Sequence, residues 1–228
     1  MKLTLLFLSL SIFSFVSCKQ HCPDPAPNNP VDLTPMTSVQ LITTLGSETQ
    51  IAALFEHLPT GSFPTYTEMF VGEWTHTGWY MHRFLLKPDL SSIPTKAIID
   101  SAFVIFYPTD NATSSNAGGY SNNVADNAMF IENITTSWSS NTVSWNTQPA
   151  TTATDRISVP STADGDVSSG KIYISSLLKA WVATPSAYNG MLLKAQDEST
   201  HLRRRVLYAS PYHSNSSLHP LLKVYYRK

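Results

Sequence analysis

The densest group of side chains able to bind a ligand lies in residues 72–83, around a glycine turn. It contains three aromatic residues and two histidines: Trp74, His76, Trp79, Tyr80 and His82. Sugar rings present flat C–H faces that pack on Trp and Tyr, while their hydroxyls need fixed polar partners. The pattern therefore predicts a carbohydrate-binding surface, and the alternative is a hairpin whose aromatic residues complete the core.

Strand geometry divides these side chains between two faces. Successive residues of a strand point to opposite sides, so Tyr80 and His82 should share one face, with Trp79 on the other. Trp74 and His76 precede the turn at Gly78, and we expect both to be exposed. One face would then belong to the core, and the other would form the sugar platform.

A basic cluster at residues 203–205 is the second candidate region. Along a strand, Arg203 and Arg205 point one way and Arg204 the other. Guanidinium groups bind carboxylates and sulfates through paired hydrogen bonds, which predicts contact with an acidic glycan. The alternative is a solvated face whose arginines pair with Asp197 and Glu198. Tyr212 is a loop residue assigned to the same rim, so the full predicted site is Trp74, His76, Trp79, Tyr80, His82, Arg203, Arg205 and Tyr212.

Catalytic motifs are absent from the sequence. There is no HExxH, no GxSxG, and both cysteines precede residue 23. Carboxylates are scattered singly, which is typical of surface and turn positions, although their pairing in space is not visible in a sequence. We predict no enzyme activity, no metal and no cofactor. A structural calcium ion at Asp164 and Asp166, or at Asp197 and Glu198, is a weaker alternative, because turn chemistry explains both pairs.

Short apolar runs separated by turn residues predict about ten or eleven strands. A single short helix should begin at a Ser175 or Ser176 cap and end at Pro185, with Leu177, Leu178, Trp181 and Val182 on its apolar stripe. This pattern predicts an all-β fold, an antiparallel jelly-roll-like β-sandwich with one short helix. The predicted strands are Val39–Leu45, Tyr66–Val71, Trp79–Leu86, Ala97–Tyr107, Ala128–Ile134, Thr142–Trp145, Arg156–Val159, Lys171–Ile174, Gly190–Ala195, Arg204–Ala209 and Leu221–Tyr226.

The N-terminal residues have the pattern of an export signal. Residues 1–17 combine Lys2 with an apolar stretch, and Cys18 follows a small residue, which resembles a bacterial lipoprotein box. We predict a lipid anchor on Cys18, and the alternative is ordinary signal cleavage with Cys18 and Cys22 paired. Residues 18–36 are proline-rich and predict a semi-rigid tether. Residues 37–228 form the predicted globular domain.

Composition excludes several classes of protein. Hydrophobic residues make up 42% of the chain, which is enough for a packed core and argues against wholesale disorder. Charged residues make up only 14% and the net charge is -1, so neither nucleic-acid binding nor a polybasic membrane surface is supported.

Four ordered stretches of the domain resemble the DNRLRE domain family. Residues 82–102 include Arg83-Phe84-Leu85-Leu86-Lys87-Pro88-Asp89-Leu90-Ser91-Ser92-Ile93-Pro94, and residues 134–149 include Ser137-Trp138 and Thr142-Val143-Ser144-Trp145-Asn146-Thr147-Gln148-Pro149. Residues 174–193 and 204–226 supply the other two stretches, although the hexapeptide that names the family is absent. The resemblance implies a carbohydrate-binding-module-like β-sandwich, in which Trp138 and Trp145 are core anchors.

Relatives in that family occur beside polysaccharide lyases and hydrolases, and some bind acidic polysaccharide such as alginate. Together with the lipoprotein-like Cys18 and the tether, the resemblance implies a non-catalytic, lipid-anchored protein of the bacterial cell envelope, on the outer membrane or cell surface. It would capture a neutral or acidic polysaccharide, next to a glycan-degrading system. The alternatives are a structural or adhesion module without glycan specificity, and a polysaccharide lyase or hydrolase.

Overall fold

The computed structural model describes residues 37–75, 77–109, 126–161 and 170–228. The predicted signal and tether, with Cys18, therefore lie outside the described residues, as do His76, Asp164 and Asp166. The globular part is one compact unit that runs from Met36 to Lys228.

Eleven strands and one α-helix occur within the described ranges, and every strand pair is antiparallel. The prediction of an antiparallel all-β sandwich with one short helix is confirmed. In chain order the elements are β1 Ser38–Thr44, β2 Gln50–Phe55, β3 Glu68–Thr75, β4 Trp79–Lys87, β5 Ile98–Phe106, β6 Met129–Ile134, β7 Thr151–Val159, β8 Gly170–Tyr173, α1 Ser175–Ala183, β9 Met191–Ala195, β10 Arg204–Ala209 and β11 Leu221–Arg227.

The strands form two sheets. One has four strands in the order β1-β11-β5-β8, and the other has seven, in the order β10-β3-β4-β9-β6-β7 with β2 also paired to β4. Strand β4 is the central strand of the larger sheet, because it forms backbone hydrogen bonds with three other strands, β3, β2 and β9. The main hydrophobic core lies between the sheets and combines residues such as Phe84 of β4, Phe106 of β5 and Leu178 of α1.

A second, smaller apolar cluster lies on the other side of β2 and β4. It contains Leu54 and Leu85, which alternate with core residues along their strands, and Trp138 and Trp145 pack against it half-buried. The indole Nε1 of Trp138 donates to the Asn189 carbonyl oxygen at 2.8 Å. Strands β2 and β4 are therefore buried on both faces.

Three local expectations were wrong. Residues 142–145, predicted as a strand, form a turn that leads into a 3₁₀ turn at Trp145–Thr147. Strand β2 was not predicted at all. The helix cap is Ile174 rather than a serine. Ser175 instead docks the helix on β5, where its Oγ accepts from the Ala102 N–H at 2.9 Å. The apolar stripe of the helix is confirmed, because Leu177, Leu178, Trp181 and Val182 are all buried.

Candidate functional site

An aromatic depression of about 280 Å³ opens at one end of the larger sheet. Strands β2, β3 and β4 and the turn after β2 supply its walls. The lining residues are Phe55, His57, Leu58, Phe63, Tyr66, Phe70, Trp74, Thr75 and His82. The structure thus places Trp74 and His82 of the predicted site in one concave surface, together with aromatic residues from other elements.

The β3–β4 hairpin fixes the relative positions of the predicted residues. Its register pairs Trp74 with Tyr80 and Gly72 with His82. Tyr80 and His82 share a face, as the alternation predicts, and both contact the His57 ring, with centroids 5.2 and 5.7 Å apart. Two imidazoles therefore pack together in the wall, and Tyr80, which does not line the depression, packs against His57.

Arg205 stacks on the depression wall rather than lying in solvent. Its guanidinium carbon is 3.6 Å from the centre of the Trp74 ring and 4.7 Å from that of Phe70. Burial lowers the pKa of Arg205 to about 10, against an opposing effect of Glu68, so the group stays charged at neutral pH. Arg203 lies on the same side, 6.0 Å from the Trp74 ring. The expectation that Trp74 is exposed was wrong, because Arg205 covers one face of its half-buried indole.

Arg204 points the opposite way, as the alternation predicts. Its Nη1 donates to Asp197 Oδ2 at 3.0 Å, and its Nε lies 3.9 Å from the buried carboxylate of Glu73. Glu198 instead accepts from Arg83 Nε at 3.0 Å. The interpretation of the cluster as a solvated face was therefore wrong for Arg204 and Arg205, which are both buried, although the pairing of Arg204 with Asp197 is found.

His82 is held as a neutral imidazole in the wall. It is only 6% exposed, and burial lowers its pKa to about 3, with further lowering by His57 and Arg205. The ring packs edge-to-face on Phe55 and Phe70, and its Nδ1 is buried with no hydrogen-bond partner in the part of the chain that the structure describes. A base with so low a pKa accepts protons weakly at neutral pH, so this imidazole is suited to hydrogen bonding rather than to proton transfer.

The remaining predicted residues do not line the depression. Trp79 is 39% exposed and faces His201, with ring centroids 6.5 Å apart. Tyr212 packs against the main core, and its hydroxyl donates to the Ser47 carbonyl oxygen at 2.9 Å. His76 lies outside the described residues. The predicted set is thus divided between the depression and the neighbouring surface.

Sequence reasoning missed the residues that the turn after β2 contributes. Phe55 ends β2, and His57 and Phe63 follow it in a segment for which no strand was predicted. The rings of His57, Phe63 and Tyr66 surround Phe55 at centroid distances of 4.9 to 5.7 Å. Burial and the nearby Glu68 carboxylate raise the pKa of Tyr66, which keeps its hydroxyl protonated as a donor. The available signal was the number of aromatic residues between positions 55 and 70.

A larger cavity of about 500 Å³ lies elsewhere, between residues 87–95 and the helix end. Trp181, Val182, Leu90 and Tyr188 form its apolar walls, and the Tyr188 hydroxyl donates to the Pro88 carbonyl oxygen at 2.6 Å. It contains no residue of the predicted site.

Buried carboxylates in the described ranges are paired with cations. Glu132 Oε1 lies 3.0 Å from Lys194 Nζ, and Glu73 Oε2 lies 3.9 Å from Arg204 Nε. Asp197, one of the calcium candidates, accepts from Ser199, Thr200 and Arg204, and those hydrogen bonds lower its pKa. No group of three or more His, Cys, Asp or Glu residues that could hold a metal ion occurs among the described residues.

Among the described residues, no helix is both long and apolar enough to span a bilayer. No family model matches the chain, and no curated protein sequence matches it.

Proposed function

We propose that this protein is a non-catalytic carbohydrate-binding protein, and that the aromatic depression holds a sugar of a polysaccharide. The observation that carries the proposal is the concave aromatic wall, in which rings from β2, β3 and the turn between them face one depression, with the Trp74 ring held by the Arg205 guanidinium at 3.6 Å. Aromatic faces bind the C–H surface of a pyranose.

The polar groups of the depression suit hydrogen bonding to hydroxyls. The Tyr66 phenol is protonated at neutral pH, since its pKa is raised above the ordinary value of 10, and His82 stays neutral because its pKa is lowered to about 3. Sites of this kind orient a ligand with a few polar groups in a mostly apolar wall. The arrangement supports capture of a glycan without chemistry.

The proposal extends to the placement of the domain. The lipoprotein-like Cys18 and the proline-rich tether would hold the domain at the bacterial surface, where polysaccharide is encountered. Detergent phase partitioning of the full chain tests the anchor, and partition into the aqueous phase would contradict it.

A glycan array with the full chain and two tryptophan variants tests the binding proposal. We expect Trp74→Ala to weaken binding at least about tenfold, because it removes the wall of the depression and the support of Arg205. Trp79→Ala is the matched control, since Trp79 is exposed outside the depression, and it should bind as the wild type does.

Three outcomes would contradict the proposal. Failure of the wild-type chain to bind any glycan would favour a structural or adhesion module. Equal loss of binding in both variants would show that the depression is not the site. New reducing ends or unsaturated uronate on incubation with a bound polysaccharide would favour a hydrolase or lyase. Circular dichroism of Trp74→Ala separates loss of a contact from loss of folding.

A further inference from the structure

The outer face of the four-stranded sheet carries an aromatic row that the depression does not include. The strand register places Ile42, Lys223, Phe103 and Tyr173 side by side across β1, β11, β5 and β8. Adjacent strands are about 4.8 Å apart, so these side chains form one continuous row.

Two lysines are held over the rings of this row. The Lys171 ammonium lies 4.2 Å from the centre of the Phe103 ring and 5.1 Å from that of Tyr173. The Lys223 ammonium lies 5.8 Å from the same Phe103 ring and 5.5 Å from Tyr225. The tyrosine rings flank Phe103, at centroid distances of 5.6 and 6.3 Å. We call these five residues the sheet platform.

The sheet platform combines exposed aromatic surface with positive charge. Tyr173 is 60% exposed, whereas Phe103 is buried as a floor. Core packing of these strands is supplied by their opposite faces, through Val104, Phe106 and Val224. Neither Lys171 nor Lys223 forms an ion pair with a carboxylate in the described ranges, whereas Arg227 on β11 pairs with Asp100 at 2.9 Å. No carboxylate of the described residues therefore compensates these two ammonium groups, which lie above an aromatic floor.

We propose that the sheet platform is a second binding surface, and that its ligand is an anionic polysaccharide whose sugars carry carboxylates. Tyr173 and Tyr225 would receive C–H faces of neighbouring sugars, and the two ammonium groups would pair with carboxylates along the polymer. A flat sheet face accommodates an extended chain, whereas the concave depression accommodates a single residue or a chain end. Charge complementarity favours this occupant over a neutral polymer.

The test uses the full chain, polygalacturonate as the anionic probe, and neutral dextran and single-stranded poly-dT as comparison polymers. We expect the wild type to bind polygalacturonate with an affinity that falls as salt is raised. Lys171→Gln with Lys223→Gln should weaken that binding at least about tenfold, as should Tyr173→Ala. The matched control is Lys96→Gln with Lys179→Gln, which removes the same charge from two exposed lysines outside the sheet platform.

Four results would overturn the proposal. The first is that the wild type does not bind polygalacturonate, and the second is that the platform and control variants bind it equally well. The third is that poly-dT binds as tightly as the uronate polymer. The fourth is that the wild type is a dimer, which the platform variant dissociates. The dimer would identify the face as a contact between two copies of the chain. Because Trp74→Ala leaves the sheet platform intact, loss of the depression site and loss of this one are distinguishable.

Discussion

At the scale of single residues, the depression is notable for charged and titratable groups that are buried among aromatic rings. His82 packs between Phe55 and Phe70, and the charged or titratable groups that act on it are His57 and Arg205. Protonating His82 would place a second positive charge beside Arg205 in a desolvated wall. Burial, and then the charges of His57 and Arg205, therefore keep the imidazole neutral. Because the unfolded chain has no such environment, the free energy of unfolding depends on the protonation of His82.

We predict that His82 makes the protein sensitive to mild acid. Its pKa is about 3 in the folded chain and 6.5 when unperturbed, so the unfolded chain binds the extra proton between these values. Stability is therefore lost as pH falls through this window, by about 2 kcal/mol at pH 5 from this group. Urea unfolding at pH 7 and pH 5 should show a smaller difference for His82→Phe than for the wild type.

A ring-proton NMR titration provides the direct check of that prediction. The His82 signal should not move between pH 8 and pH 5, and a midpoint near 6.5 would show that the imidazole is solvated. Parallel acid sensitivity of the wild type and His82→Phe would likewise contradict the assignment.

At the scale of strands and helices, periodicity located most elements and predicted which side chains share a face. It could not show what each face packs against. The ranges of β4, β9, β10 and α1 follow from apolar runs and turn residues. Strand β2 was missed because Gln50–Phe55 contains two alanines and no alternation, since both of its faces are buried. The depression depends on that strand and the turn after it, so only part of the candidate site was predictable.

The sheet platform corresponds to a sequence pattern that could be interpreted only once the strand order was known. Lys171-Ile172-Tyr173 and Lys223-Val224-Tyr225 both alternate lysine and tyrosine around a buried apolar residue. Alternation implies that each lysine and tyrosine share a face. It does not reveal that β8 and β11 lie on either side of β5, which brings both pairs onto Phe103.

Gly72 is predicted to be essential for the approach of β10 to β3. Its φ is +121°, and a Cβ at this position would lie 2.9 Å from the Arg205 Cα and closer still to the Arg204 carbonyl oxygen. Gly72→Ala should therefore cost more than about 2 kcal/mol in the free energy of unfolding. Gly46→Ala is the control, since its Cβ would meet only the end of the flexible Glu48 side chain, and should cost less than about 1 kcal/mol. Equal losses on chemical denaturation would contradict the strain argument.

At the scale of the whole domain, α1 joins the two sheets. Ser175 at its start bonds the Ala102 backbone of β5 in the four-stranded sheet. Trp181 near its end donates from Nε1 to Asn133 Oδ1 of β6 in the seven-stranded sheet, at 2.8 Å. The main core also combines residues of both sheets with those of the helix. Neither sheet can separate without exposing the apolar face of the other, so the two proposed binding surfaces depend on one folding unit.

Trp181→Phe tests this coupling. The substitution keeps an aromatic ring in the core but leaves the Asn133 oxygen without its donor, so we expect a loss of about 1 to 3 kcal/mol. Ser176→Ala, at an exposed position of the same helix, should change stability by less than about 0.5 kcal/mol. Far-UV circular dichroism and tryptophan fluorescence should give coincident single transitions in urea for both variants, because the sheets share one core. A transition that splits in Trp181→Phe, with strand signal lost in two steps, would show instead that the sheets fold independently and that the helix merely rests against them.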